Sequence, residues 1–188
     1  MSRWEPNASG RLQQAALELY SSNGFESTTV AEIAKRAGLT ERTFFRHFTD
    51  KREVLFGGAG ALQDLLVSTV HDAPAALPPI EVIALALHAA AGIFEDRADF
   101  ARTRQAIIAA NAELQARELI KLATLGAALA EALRSRGSAE PAASLAAETG
   151  IAVLRVAFER WTAEPGRRGL SHFIDESMDE LKLVAAGR

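Results

Sequence analysis

Cysteine is absent from the 188 residues. That excludes disulfides and thiolate metal sites and fits a reducing compartment. No run of about 18 apolar residues is free of charges and breakers, so no membrane span is expected. The stretch MSRWEPNASG lacks the apolar centre of a secretory signal, and the chain is expected in the cytoplasm. No stretch alternates cleanly with period two, so strands are not expected. A strong charge imbalance is missing too: the net charge of −3 argues against a surface that binds nucleic acid everywhere.

Signatures of catalysis are equally scarce. The histidines are His47, His71, His88 and His172. They form no HExxH and no metal-spaced pair, and the chain has neither a nucleophile elbow nor a phosphate-binding glycine loop. His88 and Glu95 stand two helical turns apart, the nearest approach to a paired site. No catalytic residue, metal or cofactor is expected, and enzyme activity is not.

What the chain does have is helix-forming sequence: 48% apolar residues, enough for a sizeable core. Leu12, Ala15, Ala16, Leu19 and Tyr20 mark one face of a first helix that ends at Gly24. Thr29 and Glu32 are spaced as a capping box for a second helix, which stops near Gly38. Thr40 is placed to cap a third by accepting the N–H near Thr43. Asp50 and Glu53 form another box and open a fourth, in which FGGAG is either a tolerated defect or a hinge. APAALPPIE, residues 73–81, reads as a linker. Helices are expected after it over 80–96, 99–110, 112–136, 138–163 and 170–185. The expectation is an all-α chain of about nine helices. Residues 1–56 would be a helix-turn-helix domain with a connecting helix to about 72, and 73–188 a larger helical domain.

Charge concentrates at one place. Between residues 35 and 52 lie Lys35, Arg36, Arg42, Arg46, Lys51 and Arg52 against Glu41 and Asp50. In the same stretch, Phe44 and Phe48 at i and i+4 suit anchors to a small core. Arg42, Thr43, Arg46 and His47 then fall on or beside the outward side. Two steeply crossing helices joined by AGLT fit a helix-turn-helix, whose second helix enters the DNA major groove. The same geometry also serves as a purely structural corner. A different class of function stays open: a helical adaptor that binds protein through its apolar last helices without binding DNA.

TTVAEIAKRAGLTERTFFRHFTDKREVLF, residues 28–56, resembles the DNA-binding domain of the tetracycline-repressor (TetR) family of transcriptional regulators. The resemblance covers roughly residues 10–56 closely, and the remainder in layout only. It implies a ligand-responsive repressor that binds a palindromic operator as a homodimer. It also implies phosphate contacts at Thr28, Thr29, His47 and Lys51, a backbone-contacting cap at Thr40, and base-facing positions at Arg42 and Thr43. Phe45 replaces the family's usual Tyr, so a hydroxyl contact to phosphate is lost: either affinity drops modestly, or the ring still packs on the sugar. Arg42 replaces a small residue, and either bonds guanine in bidentate fashion or bends to a phosphate.

A sensor of this kind needs a cavity. Its candidate lining is His88, Phe94, Phe100, Arg104, Ile108, Asn111 and Trp161, although aromatics at helical spacing equally suit a core. On the last two helices, Val153, Val156, Phe158, Phe173, Ile174, Met178 and Leu181 are candidates for half of a four-helix dimer interface. The alternative is that both helices face only their own core.

Overall fold

The computed structural model describes residues 7–164, 166 and 168–187. Among these the chain is all helix, with nine α-helices, one 3-10 turn and no strand. It divides into two compact units, and the division in space is not the division in sequence. Among the described residues, those up to 59 cluster with 103–118, and 60–102 cluster with those from 119 onward.

The first unit begins with α1 (Ala8–Asn23), α2 (Val30–Arg36) and α3 (Glu41–His47), followed by the 3-10 turn Glu53–Phe56. It also takes the end of α6 (Ala98–Ala109) and the start of α7 (Ala112–Ser135). Its core holds Leu12, Ile33, Phe44, Val54, Ile108 and Leu114, all essentially without solvent contact. Leu17 is buried as well, one position off the face that periodicity marks.

The fourth helix does not run continuously from Asp50. Asp50 accepts the N–H groups of Arg52 at 2.8 Å and Glu53 at 3.2 Å, but the N-cap position of the turn that follows is held by Arg52, without a side-chain cap. That turn is only a short 3-10 segment, and α4 starts afresh at Ala59 (Ala59–Asp72). The break falls at Gly57 and Gly58, where helix propensity is lowest.

The second unit comprises the rest of α4, α5 (Pro79–Glu95), the remainder of α6 and α7, α8 (Ala142–Ala163) and α9 (Leu170–Ala185). Pro79 occupies the first turn of α5, where its missing N–H costs nothing. Helix α8 begins at Ala142 rather than near Ser138, because Pro141 takes the N-cap position and cannot continue a preceding helix. Helices α5, α8 and α9 pack on one another around Ile83, Leu87, Ala147, Leu154, Phe173 and Ile174. At Gly150 a Cβ would stand 2.2 Å from the Ile83 side chain, so only glycine admits α5 this close.

His88 and Glu95, the pair two turns apart on α5, both engage α9. His88 Nε2 lies 2.9 Å from Asp175, and Glu95 accepts the Ser171 N–H at 3.0 Å. These contacts join the two helices. Among the described residues, no helix is long and apolar enough to cross a membrane.

Candidate nucleic-acid interface

The start of α2 is built by two threonines with different duties. Thr29 makes the complete capping box: its Oγ1 accepts the Glu32 N–H at 3.3 Å, and Glu32 accepts the Thr29 N–H at 2.8 Å. The backbone and hydroxyl of Thr29 hold the Glu32 carboxyl below its ordinary range. Thr29 is exposed. Thr28 is buried at 1% exposure, and its hydroxyl donates to the Gly24 carbonyl at 2.8 Å. Its side chain is spent on closing the α1–α2 connection, so the phosphate role that the resemblance implies for it does not fit this geometry.

The turn into α3 has the hydrogen bonds of a Schellman motif. Gly38 N–H reaches Lys35 O at 3.0 Å, and Leu39 N–H reaches Ala34 O at 2.8 Å. Gly38 sits at φ +67°, which disfavours any residue with a Cβ. Thr40 then caps α3, accepting the Thr43 N–H at 3.2 Å, with the two hydroxyls 3.0 Å apart.

Helix α3 has two sides. Phe44 is fully buried and Phe48 nearly so, their rings 5.6 Å apart. Glu41, Arg42, Phe45, Arg46 and His47 are exposed, and Thr43 is half-buried. Arg42 and Arg46, one turn apart, make no hydrogen bond or ion pair among the described residues. Three other cations in the basic stretch, Arg36, Lys51 and Arg52, are already engaged, and Lys35 is exposed on α2. Arg36 grips Glu18 through Nε at 2.9 Å and Nη2 at 2.6 Å, and Arg52 pairs with Asp50 and Glu113.

Lys51 is engaged most completely. Its ammonium donates to the carbonyls of Phe25 at 2.9 Å, Glu26 at 3.0 Å and Thr28 at 3.1 Å. An ammonium has three donors, so none remains for a phosphate, against the role the resemblance implies. The Tyr20 hydroxyl donates to Lys51 O at 2.6 Å, and burial pushes this phenol far above its ordinary value.

The seven candidate ligand residues fall into different units. Arg104, Ile108 and Asn111 belong to the first. Arg104 Nε donates to Leu55 O at 2.7 Å and its Nη1 to Glu118 at 3.0 Å. Burial pushes this guanidinium down, against the pull of Glu118. Asn111 donates to Ile107 O at 2.6 Å, and Ile108 is buried. His88, Phe94, Phe100 and Trp161 belong to the second unit. There Phe94 and Trp161 flank Phe158 at 5.1 and 5.6 Å, Arg102 lies 5.4 Å over Trp161, and Phe100 lies under Arg97.

The candidate interface residues also separate. Val153, Phe173 and Ile174 are buried at 5% or less within their own unit, so they are core and not free surface. The covering helix is α5, which the α8 and α9 patterns by themselves do not reveal. Val156 is exposed, and Phe158, Met178 and Leu181 are half-buried. Leu145, Leu183 and Val184 add exposed apolar surface on the same two helices.

Residues 12–56 match the family described as bacterial regulatory proteins, tetR family, and residues 77–186 match the MftR C-terminal domain. The chain belongs to the TetR family. It is similar to the HTH-type transcriptional regulator TcmR of Streptomyces glaucescens, 35% identical over 86 residues. That match covers 46% of this chain and 38% of TcmR, well under half of the relative's length. Two solved TetR-like structures share the fold. One is FadR of Thermus thermophilus in complex with lauroyl-CoA, at 24% identity over 94% of this chain and 93% of that one, TM-score 0.56. The other is SmeT in complex with triclosan, at 20% identity over 95% and 90%, TM-score 0.64. SmeT is the repressor of a Stenotrophomonas maltophilia multidrug efflux pump. In this TetR-family chain, α2 and α3 are the helix-turn-helix.

Proposed function

We propose that this TetR-family regulator is a ligand-responsive repressor that binds a palindromic operator as a homodimer in the cytoplasm. The observation that carries the reading is the exposed side of α3. Arg42 and Arg46 have no partner among the described residues, while the neighbouring Arg36, Lys51 and Arg52 do. Unpaired cations on the exposed side of a second helix, one in its first turn and one in its last, are what phosphates and base edges require.

Thr29, Thr40, Arg46 and His47 supply the backbone contacts in this reading, and Arg42 and Thr43 face bases. Arg42, with a planar fork of donors, bonds guanine O6 and N7. Two α3 helices about 34 Å apart read successive major-groove faces. The exposed Leu145, Val156, Leu183 and Val184, with half-buried Phe158, Met178 and Leu181, contribute to pairing two copies.

The effector is a small molecule with an apolar body. Support comes from the two fold relatives solved with lauroyl-CoA and triclosan. Such a molecule acts by binding one arrangement of the paired α3 helices better than the other. The test is selection of bound duplexes from random DNA with the full chain, followed by gel retardation. Enriched palindromes support the reading. A protein adaptor without DNA-binding activity would enrich nothing and retard nothing.

A further inference from the structure

Phe45 is an unexpected group on a DNA-facing helix. It is 55% exposed, and no other large apolar residue among those described before Leu85 is exposed. A phenyl ring left in water forfeits the burial that holds Phe44 and Phe48 in place. The ring also stands edge-on to buried Phe44, centroids 5.4 Å apart and planes at 81°. Such an edge-to-face contact favours this orientation, which reduces the rotamer freedom lost when the ring meets a partner.

Its surroundings narrow the partner. Arg42 lies three residues before it and Arg46 one after, both exposed and without partners among the described residues. Those two cations can serve phosphates and polar base edges. Phe45 can serve neither, having no donor or acceptor beyond its ring face. In the major groove, the apolar feature of the base edges is the C5-methyl of thymine.

We infer that Phe45 reads a thymine by packing its ring on the C5-methyl group, on the same helix face as Arg42. This rests on the DNA-binding reading of α3. It makes the residue a determinant of sequence through shape and apolar contact, where a tyrosine would direct a hydroxyl to the backbone.

The test uses a duplex recovered by selection from random DNA. Each thymidine of one half-site is replaced in turn by deoxyuridine, which removes only the methyl. The unaltered full chain is expected to lose about fourfold in affinity at one thymidine, the value of one buried methyl. It should be indifferent to replacement at positions Phe45 does not reach. Phe45→Ala is expected to bind the thymidine and deoxyuridine duplexes equally at that position. A 5-methylcytosine·guanine pair there should bind the unaltered chain better than cytosine·guanine does.

Indifference of the unaltered chain to every deoxyuridine overturns the inference and leaves DNA binding standing. So does equal weakening by Phe45→Ala on all duplexes, which would put the ring on a sugar. A half-site without thymine overturns it as well. A selection that enriches nothing removes the DNA-binding reading, and this inference with it.

Discussion

The Lys51 ammonium lies 2.9 Å from the carbonyl oxygen of Phe25 and 4.5 Å from the centre of the same residue's ring. One side chain thus ties the segment after α3 to the α1–α2 connection, across 26 positions of sequence. With the Glu26 and Thr28 carbonyls also held, Lys51 is a structural tether of the helix-turn-helix.

Lys51→Ala is accordingly expected to lower the stability of the chain by about 2 kcal/mol, the scale of hydrogen bonds to a charged group. Urea unfolding followed by circular dichroism measures it. The salt dependence of DNA binding by the folded fraction should not change, because no phosphate contact is lost. A flatter salt dependence with unaltered stability would return Lys51 to the phosphates.

Arg42 and Arg46 are expected to separate by kind of loss. Arg42→Ala should relax preference at one base position of each half-site, by about 1–3 kcal/mol. Arg46→Ala should weaken all sequences alike and reduce the salt slope by about one per half-site. Titrations on a selected site and its single-base variants, at two salt concentrations, distinguish these. Uniform loss for Arg42→Ala would assign that residue to the backbone.

Acid should loosen the segment after α3. Burial pushes the Asp50 carboxyl up, but the Arg52 side chain and the backbone N–H groups of Glu53 and Arg52 outweigh it, leaving it below its ordinary value. A carboxyl with a depressed folded value takes up more protons when unfolded. Its stabilisation is therefore complete above the unfolded value and is lost as pH falls through the folded one. Denaturant midpoints measured from about pH 5 to about pH 3 should decline less steeply in Asp50→Asn than in the unaltered chain.

The two classes of apolar residue on α8 and α9 should respond differently. Phe173→Ala empties a fully buried site and is expected to cost about 3–5 kcal/mol in unfolding experiments. Val156→Glu places a charge on a side chain already 42% exposed. It should leave thermal stability of the monomer nearly unchanged while lowering the dimer fraction in sedimentation velocity. A dimer fraction untouched by Val156→Glu and by Leu145→Glu would move the interface elsewhere.

Local features were legible in the sequence because their partners are three or four residues away. The capping box at Thr29, the cap at Thr40 and the span Leu170–Ala185 of α9 all follow from neighbours on one helix. So does the split of α3 into a buried phenylalanine side and an exposed basic one, which needs only helical spacing. The partition at Gly57 and Gly58 was half-legible: low propensity marked the weak point, but not that a 3-10 turn would precede it.

Residue chemistry alone determined an all-helical chain with a helix-turn-helix and a basic face on α3. Tertiary structure alone decided which cations are free. Lys51 and Arg46 look alike in sequence, yet carbonyls 23 to 26 residues away occupy one, while the other has no partner among the described residues. It likewise decided that Phe173 and Ile174 are core, since α5, some 80 residues earlier, covers that side of α9. A periodic pattern states that a face must be covered. Only the long-range packing of the chain chooses the cover.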